Sequence, residues 1–259
     1  MKVPVVQGLS VPACALVTGA SSGIGLAAVA ELLDDPSVAT VFAVSRGAQV
    51  SAALGELEAR HGDRLVPIAA DITLEIDLAA LAARVAERAP ALHLVFNAAG
   101  LLHAPDIRPE KAVAALRMDT LMRVFAINAF APVLLAKALL PRLKHSQPSV
   151  VASLSARVGS IGDNRLGGWY AYRASKAAQN QLLRTLSVEL RRSHPRTCCV
   201  ALHPGTVDTP LSSPFHANVP PDALFTPRRA ARQLLDVIAG LTPAESGGFF
   251  AWDGSPIPW

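Results

Sequence analysis

Residues 18–25 read Thr18-Gly19-Ala20-Ser21-Ser22-Gly23-Ile24-Gly25, and this stretch decides the fold. It follows an apolar run typical of a buried strand and opens a segment with helical periodicity. Gly19 allows a tight turn, Gly23 lets the backbone approach a pyrophosphate, and Gly25 lets the helix pack closely on the strand. The free N–H groups of a helix N-terminus favour phosphate, so the loop predicts a phosphate site; a turn with only a structural role is the alternative. The other binding residues predicted here are Ser21, Ser22 and Ile24.

Strand-like and helix-like segments alternate along the rest of the chain. The predicted strands are 13–18, 40–44, 65–69, 92–96, 149–154, 197–202 and 248–252. The predicted helices are 24–33, 50–60, 75–87, 109–125, 129–143, 170–192 and 227–238. Most of the strands are continuous apolar runs, as expected for strands buried on both faces of a parallel sheet. The alternation predicts an α/β protein: a doubly wound Rossmann fold with a seven-stranded, mostly parallel sheet and helices on both faces.

The composition of the 259 residues excludes several classes of protein. Hydrophobic residues make up 51% of the chain, which is enough for a buried core and excludes extended disorder. The formal net charge is +4, but the basic residues are scattered, so no nucleic-acid surface is predicted. The cysteines, Cys14, Cys198 and Cys199, have neither disulfide nor metal-ligand spacing. We therefore expect a cytoplasmic protein without a metal site, and we interpret residues 1–259 as a single domain.

Two further segments bear on location and function. The longest apolar stretch near the middle, residues 126–140, is interrupted by an asparagine, a proline and a lysine, and it is too short to predict a membrane span. Residues 206–226 form a long, proline-rich loop with little charge. Loops of this length in compact domains are often functional, so we interpret it as a substrate lid; a surface excursion without a role is the alternative.

The end of the second predicted strand indicates which dinucleotide is bound. Dinucleotide folds that prefer NAD carry an acidic residue here, which accepts hydrogen bonds from the ribose hydroxyls. This chain instead has Ser45 followed by Arg46. Both side chains can donate to a ribose 2′-phosphate, and the arginine also neutralises it. The pair predicts NADP(H); the alternative is that Arg46 is an ordinary solvated arginine.

The segment Tyr172-Arg173-Ala174-Ser175-Lys176 is the strongest indication of chemistry. Tyr172 and Lys176 are four residues apart at the start of a predicted helix, so they lie on one face. A phenol with a pKa near 10 is a poor acid–base catalyst at neutral pH, and a nearby ammonium favours the phenolate. We therefore expect Lys176 to lower the pKa of Tyr172. The alternative is a tyrosine that packs beside the stem of a surface lysine.

The spacing of residues 18–25, together with the Tyr-x-x-x-Lys pattern, resembles the short-chain dehydrogenase/reductase family in its short, single-domain form. The resemblance covers nearly the whole chain and implies a bound dinucleotide. It places Asp71 and Ile72 against the adenine ring. It also places the Asn97, Ala98 and Gly100 motif beside the cofactor, with Asn97 tying neighbouring strands together and Lys176 on the nicotinamide ribose. The residues implied near the nicotinamide carboxamide or the phosphates are Pro204, Gly205, Val207 and Thr209.

The same resemblance supplies the remaining catalytic residues. It implies that Asn128 holds a water that links Lys176 to solvent; a helix asparagine bonded to nearby backbone is the alternative. It also implies a serine at the end of the fifth strand that hydrogen-bonds the substrate oxygen. Counted from the strand, this serine is Ser155, whereas counting back from Gly159 reaches Ala156. Ser153 and Ser160 therefore remain alternatives.

Residues 155–176 and 248–259 resemble one branch of the family in particular, which contains bacterial C-factor and the Sniffer-type carbonyl reductases. This implies an NADP(H)-dependent oxidoreductase that reduces a carbonyl to an alcohol, with Tyr172 as general acid/base. A cell–cell signalling protein that binds a dinucleotide, as in C-factor, is the alternative. The expected substrate is a small apolar or weakly polar carbonyl or alcohol. We expect a homodimer or homotetramer formed through helices 129–143 and 170–192.

Overall fold

Seven parallel strands form the central sheet of this computed structural model, which describes residues 4–259 apart from the side chains of Ala217, Asn218 and Pro221. Residues 1–3 of the predicted domain lie outside it. The sheet strands are β1 (Ala13–Thr18), β2 (Val38–Ser45), β3 (Leu65–Ala69), β4 (Leu94–Asn97), β5 (Ser149–Leu154), β6 (Thr197–His203) and β9 (Phe249–Ala251). Two short strands, β7 (Thr206–Val207) and β8 (Leu224–Phe225), pair with each other. The sheet order β3-β2-β1-β4-β5-β6-β9 confirms the doubly wound Rossmann fold, here with every sheet pair parallel.

Helices cover both faces of this sheet. They are α1 (Gly23–Leu33), α2 (Ala52–His61), α3 (Glu75–Arg88), α4 (Met118–Phe125), α5 (Ala131–Leu143), α6 (Tyr170–Ser193) and α7 (Pro227–Gly240). Apolar side chains of α1, α2 and α7 share one buried cluster with one face of the strands. Those of α3, α5 and α6 share a second cluster with the other face. Because parallel strands end at the same edge, this arrangement gathers the loops that follow β1, β2, β4, β5 and β6.

The predicted helix 109–125 is wrong at its start, because α4 begins only at Met118. The preceding residues are irregular apart from a short 3-10 turn, Val113–Ala115. Glu110 in this segment is buried and bonds elsewhere: its backbone oxygen accepts from Trp169 N, and its carboxylate accepts from Ala171 N at 3.1 Å. The backbone oxygen and the carboxylate of Glu110 therefore hold the start of α6.

The predicted break between helices 109–125 and 129–143 is also wrong. A π turn, Ala126–Phe130, joins α4 and α5, so Met118–Leu143 is one helix of 26 residues. By length and mean hydropathy alone this helix could span a membrane, so the shortness of residues 126–140 does not by itself exclude a membrane span. Its buried side chains, among them Leu135 and Leu139, pack on the sheet. It is a core helix of the fold.

Candidate active site

A cavity of about 550 Å³ opens at the carboxyl edge of the sheet, where the loops converge. The predicted site residues that line it are Gly19, Ser21, Ser22, Gly23, Ile24, Gly25, Ser45, Arg46, Asp71, Ile72, Ala98, Gly100, Ser155, Tyr172, Lys176, Pro204 and Thr209. These residues come from seven separate segments of the chain. The fold therefore brings the predicted phosphate loop and the predicted catalytic pair into one cavity.

Four predicted site residues do not line this cavity, and they are Asn97, Asn128, Gly205 and Val207. Val207 is buried against Phe225 and Ala230. Gly205 has a φ of 77°, and a Cβ there would lie 2.8 Å from the Phe225 ring. These two residues contribute to the packing beneath the cavity wall, whereas the side chains of Asn97 and Asn128 lie in buried hydrogen-bond networks described below.

The loop after β1 is shaped to receive a phosphate. A Cβ at Gly25 would lie 2.7 Å from the carbonyl carbon of Gly19, so only glycine allows α1 to approach the loop this closely. Gly19 itself has a φ of 66°, and its Cα faces the backbone of Ala98. The side chain of Ser22, the N-cap residue of α1, makes no capping hydrogen bond. The first-turn N–H groups of α1 are therefore not used by this cap, and a helix N-terminus with such groups favours an anion.

The end of β2 carries a polar group without a partner. Ser45 Oγ is buried in the cavity wall and has no hydrogen-bond partner among the described residues. Arg46 beside it is exposed at the cavity. Burial raises the pKa of Asp71, but hydrogen bonds from Thr73 and the charge of Arg46 outweigh this and hold the pKa below its ordinary value. An unpaired hydroxyl next to an arginine fits the 2′-phosphate side of a dinucleotide.

Tyr172 and Lys176 lie on the buried face of α6, one turn apart. Tyr172 is 9% exposed and Lys176 is 3% exposed. The ammonium lies 5.9 Å from the centroid of the tyrosine ring. It donates to Leu154 O at 2.7 Å and to Gln179 Oε1 at 2.9 Å. The pair predicted from the sequence is therefore assembled in the cavity, with the ammonium bonded to β5 and α6.

The expected direction of the pKa change at Tyr172 is not the one that the structure gives. Burial raises the pKa of Tyr172 above its ordinary value. Burial also lowers the pKa of Lys176 to about 7. The charged form of each group is disfavoured in a dry interior, and this desolvation is the cause of both shifts. Tyr172 is therefore a neutral phenol at neutral pH.

The three serines considered for the substrate oxygen have different surroundings. Ser155 lines the cavity, and its hydroxyl donates to Asn180 Oδ1 at 2.7 Å. Ser153 is buried and accepts from Asn97 Nδ2 and Gln179 Nε2. Ser160 is buried and accepts from a backbone N–H of its own loop. Of the three, Ser155 alone lines the cavity, so it stays the strongest candidate.

Asn128 lies in the π turn between α4 and α5 and is fully buried. Its amide bonds both backbone groups of Leu101 and donates to Ser175 Oγ at 3.0 Å. It thereby ties the long helix to the chain after β4 and to α6. A Cβ at Gly100 would lie 3.6 Å from Asn128 Oδ1 and 3.9 Å from Lys176 Nζ, so these two polar groups flank the same point. The water that the family resemblance implies here stays a prediction.

Two features of the site were not predicted from the sequence. One is Gln179, which contacts the ammonium of Lys176; its signal was a polar residue on the buried face of α6, three residues after the lysine. The other is an aromatic contact beside the cavity, made by two rings that pack against the lining residues Tyr172 and His103. The rings of Trp169 and Phe215 are 4.8 Å apart, and His103 Nε2 lies 3.0 Å from Pro210 O. Among the described residues, no cluster of three or more His, Cys, Asp or Glu side chains is placed to hold a metal ion.

Comparison with known proteins places this chain in a family. Residues 13–219 match the family model described as short chain dehydrogenase. The chain belongs to the short-chain dehydrogenase family. The family resemblance found in the sequence is thus confirmed, and this short-chain dehydrogenase is an oxidoreductase.

Individual relatives agree with this membership and with the branch. The chain is 41% identical to C-signal of Myxococcus xanthus over 137 residues, which are 53% of this chain and 77% of that protein. It is similar to the NADPH-bound carbonyl reductase from chicken fatty liver, with a TM-score of 0.86 and 30% identity over 100% of this chain and 99% of that one. It is also similar to the carbonyl reductase Sniffer of D. melanogaster, with a TM-score of 0.82 and 30% identity over 96% and 100% of the chains.

Proposed function

We propose that this short-chain dehydrogenase is an NADP(H)-dependent carbonyl reductase. It reduces a small apolar or weakly polar carbonyl to the alcohol and runs in reverse as an alcohol dehydrogenase. The observation that carries the proposal is that Tyr172 and Lys176 share one cavity with the glycine-rich phosphate loop. The similarity to carbonyl reductases, one of them described as NADPH-bound, supports it.

Each residue of the site has a proposed task. NADPH, when bound, supplies the hydride. Tyr172 donates a proton to the substrate oxygen, and its raised pKa keeps the phenol protonated for that step. Lys176 holds the nicotinamide ribose, and Asn128 maintains the proton supply. Ser155 hydrogen-bonds the developing alkoxide; its hydroxyl, which donates to Asn180 here, rotates to do so.

The preference for NADP(H) rests on Ser45 and Arg46. A variant with Arg46→Asp should bind NADPH about tenfold more weakly or worse, because a charge-assisted bond to the 2′-phosphate is replaced by repulsion. Its affinity for NADH should not fall. Arg196→Asp changes the charge equally, but lies just before β6 at the opposite edge of the sheet, and should leave both affinities unchanged. Equal loss of NADPH and NADH binding would contradict this assignment.

The chain offers a matched control for the catalytic tyrosine, since its two tyrosines are Tyr170 and Tyr172. Tyr170 is 40% exposed. We expect Tyr172→Phe to abolish NADPH oxidation with a panel of aldehydes, ketones and quinones, and Tyr170→Phe to retain it. NADPH binding, followed by tryptophan fluorescence, should persist in both variants. Full turnover by Tyr172→Phe would refute the proposed mechanism.

A second candidate function is a signalling protein that binds a dinucleotide, which the similarity to C-signal favours. The same variants separate the two functions. A signalling role that depends on nucleotide binding survives Tyr172→Phe, whereas carbonyl reduction does not. Binding of NADPH by the wild type without turnover of any member of the panel would favour the signalling role.

Three further properties belong to this proposal. Residues 1–259 act as one domain in the cytoplasm, and residues 206–226 close over the substrate as a lid. The contacts of Phe215 with Trp169 and of Pro210 with His103 support the lid, because they join this loop to the rim of the cavity. The chain forms a homodimer or homotetramer through α5 and α6, which sedimentation analysis tests directly.

A further inference from the structure

Gln179 is a fully buried amide in direct contact with the proposed catalytic lysine. It lies three residues after Lys176 on α6, so the two side chains share one helix face. A buried amide is costly unless its donors and acceptor are satisfied. Here each of its polar groups has a partner, and one of those partners is the ammonium of Lys176.

The orientation of this amide is set by its neighbours. Gln179 Nε2 donates to Ser153 Oγ at 2.8 Å and to Leu154 O at 3.2 Å. A carbonyl oxygen accepts and never donates, so exchanging the amide's nitrogen and oxygen would set two acceptors against each other and two donors against each other. Gln179 Oε1 is therefore the atom that faces Lys176 Nζ, at 2.9 Å.

Strand register links this contact to the phosphate loop. Thr18, Asn97 and Ser153 are direct partners across β1, β4 and β5. Thr18 Oγ1 donates to Asn97 Oδ1, and Asn97 Nδ2 donates to Ser153 Oγ at 2.7 Å. A continuous buried chain of hydrogen bonds thus runs from the residue before Gly19 to Ser153, which also accepts from the amide bonded to the ammonium of Lys176.

The hydrogen bonds of Lys176 Nζ determine where its ammonium group lies. An ammonium group has three N–H bonds. Two of them are used by Leu154 O and Gln179 Oε1. The titratable group that faces the ammonium is Tyr172 on the same helix. The groups that face it from β5, the π turn and the chain after β4 are neutral: Leu154, Asn128 and Gly100.

We propose that Gln179 is a positioning residue, which holds the ammonium of Lys176 against β5 and leaves its third N–H for the dinucleotide ribose. The inference rests on the proposed function, because it requires Lys176 to act in that site. Gln179 itself touches neither the cavity nor the reacting atoms. Its effect is exerted through the place and the charge of Lys176.

Three variants test this role. Gln179→Leu removes the acceptor at similar size, and Gln179→Glu keeps the acceptor but adds a negative charge. Gln181→Leu makes the same exchange at an exposed position of the same helix. Thermal unfolding shows whether each variant folds. If Gln179→Leu does not fold, Gln179→Glu still tests the proposal. NADPH affinity is measured by tryptophan fluorescence, and kcat for reduction is measured against pH.

We expect Gln179→Leu to weaken NADPH binding by about tenfold, as for loss of a hydrogen bond to a charged group. The pH above which kcat declines should move down, because the ammonium loses an acceptor. In Gln179→Glu it should move up by about one pH unit or more. Gln181→Leu should match the wild type. A merely structural role of Gln179 would change stability, but it would not move the pH above which kcat declines in opposite directions in the two variants.

The positioning role would be overturned if both Gln179 variants kept the wild-type NADPH affinity and the wild-type pH above which kcat declines. Failure of the proposed function has a different signature. In that case the wild type turns over no carbonyl of the panel, or Tyr172→Phe keeps full turnover. NADPH affinity still tests the contact in that event, with Lys176→Met as the reference for complete loss of the ammonium.

Discussion

Raising the pH from about 7 to about 8.5 should stabilise the folded protein through Lys176. This lysine is 3% exposed, and burial lowers its pKa from the ordinary 10.5 to about 7. Below about pH 7 the lysine is protonated in both the folded and the unfolded state. Between about 7 and 10.5 the unfolded chain keeps a proton that the folded protein has released. The free energy of unfolding therefore rises with pH in this interval.

Other groups limit the useful interval. Burial lowers the pKa of His93 and His203 to about 4. Their contribution to the pH dependence of the free energy of unfolding is therefore complete once the pH exceeds the pKa of free histidine. Burial raises the pKa of Cys198 to about 12 from the ordinary 9.0, so thiol ionisation in the unfolded chain opposes the trend above about pH 8.5. The interval free of these other titrations, from about pH 7 to about 8.5, spans about 1.5 pH units. At about 1.4 kcal/mol for each pH unit, the free energy of unfolding should rise by about 2 kcal/mol.

Urea unfolding of the wild type, Lys176→Met and Lys144→Met across this interval measures the gain. Lys144 is exposed, so its variant serves as a matched control. The wild type and Lys144→Met should gain about 2 kcal/mol from the Lys176 proton, and Lys176→Met should lack this increment. Parallel curves for the wild type and Lys176→Met would refute the reasoning. They would mean that Leu154 O and Gln179 Oε1 keep the ammonium charged in the folded protein.

Two further predictions concern a glycine of the phosphate loop and the start of α6. Gly25→Ala should abolish NADPH binding, because its Cβ would lie 2.7 Å from the carbonyl carbon of Gly19. The control Gly55→Ala, whose Cβ would have no atom within 4 Å, should bind NADPH normally, and its free energy of unfolding in urea should rise by up to about 1 kcal/mol. Normal NADPH binding by Gly25→Ala would contradict the close approach. Glu110→Ala should destabilise the protein by about 1–3 kcal/mol, because the buried Ala171 N loses its acceptor. Glu110→Gln keeps an acceptor and should lose less; equal losses would show that the charge rather than the hydrogen bond is needed.

Local sequence was sufficient for the features that depend on neighbouring residues. A few consecutive residues predict the strand–loop–helix at 18–25, and a few others predict the Tyr172–Lys176 pair. The structure places both features in one cavity. The alternation of apolar runs and helical periodicity was sufficient for the parallel sheet, because each strand carries its own burial pattern.

Long-range contacts account for what the sequence did not show. Helix 109–125 was predicted to begin too early, since no local pattern indicates that Glu110 bonds Ala171 at the start of α6. The direction of the Tyr172 pKa shift also depends on burial by distant parts of the chain. Spacing along a helix reports which groups are neighbours, whereas desolvation depends on everything that covers them.

The sequence by itself determined the fold class, the phosphate loop and the residues of the proposed catalytic pair, because those signals are carried by residues close together in the chain. Only the tertiary structure decided that Thr18, Asn97 and Ser153 meet side by side and connect to Lys176 through Gln179. These residues are far apart in sequence. Strand register and the packing of α6 on β5 bring them into hydrogen-bond distance, and burial then makes each of those bonds obligatory.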